Sequence, residues 1–185
     1  MNALLDRLQP YPFERLRQLF AGVEPSLAHK GISLGIGEPR HATPPMVMEV
    51  MTQAFSSLAA YPPTAGDAGL RQACAQWLAD RYQVKLDSQS QILPVNGSIE
   101  SLFVLAQAVL DPTQAGAKVV SPNPFYQIYE GAALLGGAEP FYVANSPEND
   151  FSADWHAVPE EIWRKTQLVF VCSPGNPTGK IMPLA

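Results

Sequence analysis

The chain has 185 residues, of which 46% are hydrophobic, and 17 acidic against 12 basic side chains give it a formal net charge of -5. A chain of this size and apolar content can bury the core of one domain, or of a part of a larger one. The basic residues form no cluster, so no nucleic-acid partner is expected. No apolar run is long enough to cross a bilayer, so no membrane partner is expected either.

The N-terminal residues and the cysteines indicate a compartment. The first twenty residues include Asp6 and Glu14 and contain no apolar core followed by a small-residue cleavage site, so they do not form a signal peptide. Cys74 and Cys172 are widely spaced and fall in a helical and a strand-like pattern. We expect two reduced thiols and therefore a cytoplasmic protein.

The predicted elements alternate between strands and helices along the chain. Apolar periodicity predicts helices over residues 12–20, 45–59, 70–82, 99–109, 126–135 and 160–165. Short apolar runs predict strands over residues 32–34, 91–95, 118–121, 139–143 and 168–172. This alternation predicts an α/β fold with a mostly parallel sheet and flanking helices. The buried side of the third helix is predicted to include Leu70, Ala73, Cys74, Trp77, Leu78 and Tyr82.

The most informative stretch is the sequence SPGNPTG, residues 173–179. It follows the apolar run 168–172, which is typical of a strand buried on both faces. Its two prolines cannot donate to a sheet ladder and its glycines allow tight bends, so the strand must end in a loop. Ligands of open α/β sheets bind at the carboxyl ends of the strands. The alternative is that these residues only form a turn and bind no ligand.

Two other predicted strand-to-helix junctions contain residues suited to binding a ligand. In residues 95–101, a strand turns through Gly97 into an apolar helix, whose first N–H groups can hold an anion. The alternative is an ordinary helix start, capped by Ser98 and supported by Glu100. Residues 121–129, SPNPFYQIY, place three aromatic side chains behind another strand end, and for Phe125 we expect core packing.

These motifs resemble the class I/II aminotransferases of the pyridoxal 5'-phosphate (PLP) fold type I superfamily, in the order and spacing of that family. The resemblance implies that the Asn176 amide hydrogen-bonds the phenolic oxygen of PLP. It implies that the backbone N–H groups of Ser98 and Ile99 hold the phosphate. It also implies that Tyr126 stacks on the pyridine ring, with Tyr129 a weaker candidate on the substrate side.

Two further matches carry substrate and partner assignments. The stretch GIGEP, residues 35–39, resembles the family's entry loop, which implies that the backbone of Gly37 contacts the substrate carboxylate. The stretch AYPPTAGDAGLR, residues 60–71, resembles a motif whose tyrosine reaches the phosphate of the partner subunit's cofactor, here Tyr61. The resemblance therefore implies a homodimer with shared active sites. From the residues alone, Tyr61 beside two prolines is equally explained by packing.

The resemblance also implies an architecture. The chain corresponds to the N-terminal half of the fold, with residues 1–44 forming an N-terminal arm and a small-domain segment that carries the substrate loop. Residues 45–185 correspond to the first half of a three-layer αβα PLP-binding large domain. The family's Schiff-base lysine, its aspartate under the pyridine nitrogen and its phosphate and carboxylate arginines are expected beyond residue 185. No catalytic residue is therefore assigned within this chain.

Within class I/II, residues 5–20, 33–44 and 121–143 resemble the succinyldiaminopimelate transaminases of bacterial lysine biosynthesis. That resemblance implies transfer of an amino group between N-succinyl-diaminopimelate and 2-oxoglutarate. Aspartate or aromatic aminotransferases remain alternatives, as do a non-catalytic α/β domain that binds a phosphate ligand and an interaction protein of the same ancestry. The three histidines, His29, His41 and His156, have no metal-ligand spacing, so no metal is assigned.

Overall fold

The structure, a computed structural model, describes residues 1–32 and 34–183. The chain divides into two compact units, one formed by Met1–Ala21 with Val95–Ala185 and the other by Gly22–Pro94. The boundaries of these units differ from those of the predicted division at residue 44. That division refers to the whole two-domain architecture and stays a prediction.

The first unit contains a parallel sheet. Its strands are β1 (Lys118–Asn123), β2 (Glu139–Ala144) and β3 (Thr166–Val169), arranged in the order β2-β1-β3. Both neighbours of β1 run parallel to it. The predicted α/β fold with a parallel sheet is therefore confirmed.

The chain also forms helices in both units. The described α-helices are α1 (Pro12–Leu19), α2 (Pro45–Gln53), α3 (Ala68–Tyr82), α4 (Ser98–Val109), α5 (Ile128–Leu135) and α6 (Glu160–Trp163). Of these, α2 and α3 belong to the second unit and the others to the unit of the sheet. Short 3-10 helices occupy Ala3–Arg7, Phe55–Ala59, Pro147–Asn149 and Trp155–Ala157. Prolines occupy the first position of α1 and α2, where no intrahelical N–H bond is lost.

Both faces of β1 are covered, which gives the unit three layers at the centre of its sheet. Val119 and Val120 are adjacent on β1 and point to opposite faces, and each is at most 1% exposed. Val119 belongs to a cluster with residues of α4 and α5, whereas Val120 packs with Val143 and Val158 on the other side. The second face is closed by Trp155 and by side chains of α6.

Alanines allow the two helices of the first face to approach closely. Ala106 of α4 and Ala132 and Ala133 of α5 are fully buried, and the two helices pack against each other. The side chain of Gln107 donates from Nε2 to the carbonyl oxygen of Ala132 over 3.0 Å.

Two predicted strands differ from the structure. Residues 91–95 form no strand, and Leu93 and Val95 are 67% and 53% exposed. Their β-like composition is not enough, because no described strand pairs with them and Pro94 has no N–H to donate. Of the predicted strand 32–34, Ser33 lies outside the described residues, and the flanking Ile32 and Leu34 are not in a strand.

The strand before SPGNPTG is shorter and less buried than expected. It spans Thr166–Val169, and the Phe170 N–H continues the ladder with a 2.9 Å bond to the Val120 carbonyl oxygen. Phe170 is 5% exposed, but Val169 and Val171 are 38% and 50% exposed. The prediction of a strand buried on both faces was wrong, because β3 borders only β1 and one of its faces is uncovered among the described residues.

The predicted buried side of the third helix is also largely exposed. Leu70, Trp77 and Tyr82 of α3 are 50–57% exposed, and Cys74 and Leu78 are only half-buried. The helix itself is well specified, since the Asp67 side chain caps it by accepting from the Leu70 N–H over 2.9 Å. The pattern correctly predicted the helix but not its burial, because no second layer covers α3 within the described chain.

No helix in the described ranges 1–32 and 34–183 is long and apolar enough to cross a membrane. Cys74 and Cys172 are both free thiols, as predicted.

A polar contact links α5 to the sheet. The Tyr142 hydroxyl on β2 donates to Oε1 of Glu130 on α5, and the Tyr142 ring stacks on Phe125 with centroids 4.8 Å apart. Burial, and then the hydrogen bond and charge of Glu130, raise the pKa of Tyr142. The folded protein therefore favours the neutral phenol more strongly than the unfolded chain does.

We expect the Tyr142→Phe substitution to lower the free energy of unfolding by about 1–2 kcal/mol at neutral pH, because it removes a hydrogen bond to a carboxylate but keeps the ring stack. The stabilisation from the raised pKa is present below about pH 10, the ordinary tyrosine value, and is lost as the pH rises further. Urea unfolding at pH 7 and pH 10.5 measures both effects. Equal losses of stability for wild type and variant between these pH values would contradict the assignment.

Candidate functional site

A cleft of about 390 Å³ opens at the carboxyl ends of β1 and β3. Its walls come from β1, α5, the segment after β2 and the SPGNPTG loop. The lining residues are Pro122, Tyr129, Asn145, Phe151, Ser152, Ala153, Asp154, Trp155, His156, Val171, Cys172, Gly175, Asn176, Thr178, Lys180, Met182 and Pro183. This is the edge of a parallel sheet at which ligands bind.

The SPGNPTG loop is closed on itself by backbone hydrogen bonds. The Gly175 N–H donates to the Lys180 carbonyl oxygen over 2.8 Å, and the Gly179 N–H donates to the Gly175 carbonyl oxygen over 2.6 Å. A Cβ atom at Gly175 would lie 2.7 Å from the Thr178 hydroxyl oxygen, so a larger residue there would require the Thr178 side chain to move. The exposed Asn176 lies inside this closed ring and lines the cleft.

Aromatic rings form a series from the cleft wall towards the core. Tyr126 contacts Tyr129 edge to face at 6.0 Å, and Tyr129 stacks on Phe170 at 4.2 Å. α5 begins at Ile128, two residues after the predicted helix start at residue 126, so Tyr126 lies just before the helix rather than in it. Burial, and secondarily the nearby Cys172, raise the pKa of Tyr129, so its hydroxyl remains protonated. A flat apolar surface thus adjoins the cleft.

The N-terminus of α4 presents free backbone donors. Gly97, not Ser98, is the N-cap residue, and no side chain caps the helix. Gly97 has φ 141° and ψ 161°, a conformation that only glycine adopts readily. The N–H groups of the exposed Ser98 and Ile99 find no acceptor among the described residues. The alternative of a serine-capped helix start is therefore wrong, and these donors are free to bind an anion.

The segment after β2 forms the opposite wall of the cleft. Asn145 and Ala153 form an antiparallel bridge that closes a turn. Within the turn, Asp150 and Phe151 both have positive φ, 51° and 56°. The Asn145 Oδ1 atom is buried and accepts no hydrogen bond from any described group. The sequence analysis missed this wall, although the turn-rich sequence NSPEND directly after a parallel strand was a usable signal.

Two predicted site residues belong to the other unit, Gly22–Pro94. Tyr61 is 99% exposed, so the alternative of packing within this chain is wrong. Gly37 is exposed, and a Cβ atom there would meet nothing within 4 Å. The roles of Tyr61 and Gly37 stay predictions.

The cleft thus includes only part of the predicted set. Asn176 and Tyr129 line it, and Tyr126 adjoins it through Tyr129, whereas Ser98 and Ile99 are not among its lining residues. Lys180, at the same edge, forms an ion pair with Asp150. Within residues 1–32 and 34–183, no three His, Cys, Asp or Glu side chains are grouped to hold a metal ion.

The donor set suits a flat, anionic ligand. Asn176 offers an amide donor, Tyr129 and Tyr126 offer apolar ring surface, and the α4 terminus offers backbone donors without a basic side chain. The unpaired Asn145 Oδ1 adds an acceptor that a ligand donor could satisfy. The cleft residues can therefore bind and orient a flat ring, and the α4 terminus, which is not among the lining residues, can bind an anion.

Comparisons with known proteins agree with this arrangement. The chain is 33% identical over 186 residues to the LL-diaminopimelate aminotransferase of Dehalococcoides mccartyi, covering 100% of this chain and 47% of that protein. An aminotransferase structure from Neisseria meningitidis superposes with a TM-score of 0.92 at 47% identity, over 99% of this chain and 47% of that one. The aminotransferase AspB of Helicobacter pylori gives 0.85 at 36% identity, over 95% and 45%.

The chain therefore spans about half the length of the relatives it matches. A family model described as aminotransferase class I and II matches residues 29–185. That range includes the SPGNPTG loop, the N-terminus of α4 and Tyr126, and it covers well over half of the chain. The chain belongs to the family of class I and II aminotransferases, which are PLP-dependent enzymes.

Proposed function

We propose that this chain supplies the ring-binding and phosphate-binding part of a PLP-dependent transaminase. The observation that carries the proposal is the closed SPGNPTG loop, which presents Asn176 to a cleft at the carboxyl edge of the sheet. When bound, PLP supplies an electron sink for bond breaking at the α-carbon of an amino acid. The protein's part is to bind, orient and polarise.

Each residue has a role that its surroundings support. Asn176 donates its amide N–H to the ring hydroxyl oxygen, and its own side chain has no competing partner among the described groups. Tyr126 offers a flat face to the ring, since its contact with Tyr129 holds the aromatic series in place. Ser98 and Ile99 donate free N–H groups to the phosphate, assisted by the positive end of α4.

We propose a diaminopimelate-type amino acid as the substrate, with 2-oxoglutarate as the partner oxo acid, in bacterial lysine biosynthesis. The names of the relatives support the diaminopimelate part, since several are LL-diaminopimelate aminotransferases. The earlier expectation was N-succinyl-diaminopimelate, and the relatives' names do not include the succinyl group. Gly37 is proposed to contact the substrate carboxylate through its backbone.

The assembly is proposed to be a cytoplasmic homodimer with shared active sites. Large apolar side chains on and after α2, including Met46, Met48, Val50 and Phe55, are 55–68% exposed. Exposed apolar side chains of this size are typical of a surface that another protein segment covers. A dimer that buries this surface also explains why Tyr61 is free to serve a neighbouring subunit.

The test is a spectroscopic titration of the full-length protein with PLP. We expect a visible absorption band at one equivalent per subunit, and a change of that band on adding LL-diaminopimelate or its N-succinyl derivative. The two compounds compared side by side identify the substrate form, because the succinyl group replaces a positive amine by an amide and a carboxylate. A band that no amino acid changes would indicate a non-catalytic binding domain instead.

A further inference from the structure

One interaction at the cleft belongs to no role assigned above. The Lys180 ammonium forms an ion pair with the Asp150 carboxylate, across 30 residues of sequence. Lys180 ends the SPGNPTG ring, and Asp150 lies at the tip of the turn that forms the opposite wall. The pair therefore links the loop that carries Asn176 to the turn that directly precedes the facing wall, residues 151–156.

The backbone of Lys180 is part of the ring that holds Asn176. Its carbonyl oxygen accepts from the Gly175 N–H over 2.8 Å, and its own N–H donates to the Thr178 hydroxyl oxygen over 3.3 Å. Gly175 directly precedes Asn176 in sequence. A displacement of Lys180 would therefore move its hydrogen-bond partners Gly175, which precedes Asn176, and Thr178, which follows it.

Asp150 is held in a costly conformation by its turn. It and Phe151 have consecutive positive φ angles, which are unfavourable for non-glycine residues and persist only where the surroundings impose them. The turn imposes them through N–H donation from Asp150 to the Pro147 carbonyl and from Phe151 to the Ser146 carbonyl, over 3.0 Å and 2.8 Å. The backbone of Asp150 is therefore held in place, which limits the positions open to its carboxylate.

The exposure of the pair limits what it can contribute to overall stability. The Lys180 and Asp150 side chains are 35% and 79% exposed, and such ion pairs contribute little to the free energy of unfolding. A local effect is a better explanation for a pair that joins two otherwise separate cleft walls. It can reduce the number of positions open to the Asn176 loop before a ligand binds.

We propose that the Asp150–Lys180 ion pair is a positioning clamp, which fixes the Asn176 loop against the facing wall and thereby preorganises the ring-binding half of the PLP site. This inference rests on the proposed function, because it assigns the pair to the same site. Lys180 acts here through Asn176 and does not form the covalent bond to the cofactor.

The test measures the PLP dissociation constant of the full-length protein by absorbance titration, in low and high salt. We expect Asp150→Asn and Lys180→Met each to raise the dissociation constant about twofold to fivefold in low salt, the range of an exposed ion pair. High salt screens the ion pair and should raise the dissociation constant of the wild type towards that of the variants. The double charge exchange D150K/K180D should restore most of the lost affinity.

The matched control is Glu148→Gln, which removes one negative charge from the same turn. The Glu148 carboxylate hydrogen-bonds Ser146, which holds its pKa below the usual value, and it has no cation partner among residues 1–32 and 34–183. We expect an unchanged dissociation constant for this variant. If Glu148→Gln raised the PLP dissociation constant as much as Asp150→Asn does, the net charge of the turn alone would explain the effect, and the clamp would be overturned.

The outcomes separate this inference from the proposed function. If wild type takes up no PLP, the proposed function fails and the clamp fails with it. If wild type binds PLP but Asp150→Asn and Lys180→Met bind equally well, only the clamp is overturned. If the variants bind weakly and the charge exchange does not restore binding, the two residues act separately and the clamp is likewise overturned. Urea unfolding of each variant checks that the fold is intact.

Discussion

The Asn176→Ala substitution is expected to weaken PLP binding of the full-length protein by about tenfold to a hundredfold and to slow turnover. Losing a hydrogen bond to a charged oxygen costs about 1.5–3 kcal/mol, which corresponds to that range. The wavelength of the cofactor band should also change, because the amide donor is proposed to contact the ring hydroxyl oxygen directly. Absorbance titration and steady-state kinetics measure both effects.

Folding should be nearly unaffected by this change. The Asn176 side chain is exposed, and the hydrogen bonds that close its loop come from the backbones of Gly175, Gly179 and Lys180. Asn149→Ala is the matched control, since Asn149 is an exposed asparagine of the facing turn that does not line the cleft. If the Asn176→Ala protein has the same PLP affinity, cofactor absorption band and turnover rate as the Asn149→Ala protein, the role of Asn176 is disproved.

Local sequence signals were sufficient to predict where the motif loops lie. Prolines and glycines act on their own backbone, so the loop at residues 173–179 and the turn at Gly97 could be predicted without knowing the rest of the fold, although β3 ends at Val169, three residues before the predicted end. Strands β1 and β2 were predicted within one or two residues for a related reason. Their apolar runs are bounded by polar turns and are covered on both faces by helices and the segment after β2.

Features that depend on distant partners were not predictable in this way. Residues 91–95 have the composition of a strand, but pairing is decided by whether another strand lies beside them, and no described strand does. The apolar side of α3 was predicted to be buried, yet Leu70 and Trp77 are 50% and 57% exposed. Periodicity shows which side chains share a face, not what covers that face.

The facing wall of the cleft escaped prediction for a third reason. Its turn uses Asp150 and Phe151 at positive φ, where glycine or asparagine would have been the usual signal. Its link to the Asn176 loop joins residues 30 positions apart, and no pattern in either segment indicates the other. Side-chain pairs of this kind are visible only once the strands have brought their ends together.

The Tyr61→Phe substitution is expected to weaken PLP binding of the full-length dimer by about tenfold, since a hydroxyl bond to a charged phosphate is lost. Tyr61 is 99% exposed in this chain, so the loss of its hydroxyl should not destabilise the subunit. Tyr82→Phe is the control, because Tyr82 lies in the same unit and contacts Trp77 through its ring alone. The PLP dissociation constant of each variant measures the effect.

Hybrid dimers decide which subunit Tyr61 serves. Tyr61→Phe subunits are mixed with subunits whose cofactor-binding lysine has been replaced by alanine. In a two-fold symmetric dimer, each hybrid then contains one site with both an intact lysine and a Tyr61 from the neighbouring chain. Random mixing at equal amounts should restore about a quarter of the wild-type activity, well above either parent. If the mixture is no more active than the two parents combined, Tyr61 acts within its own subunit or has no role at the phosphate.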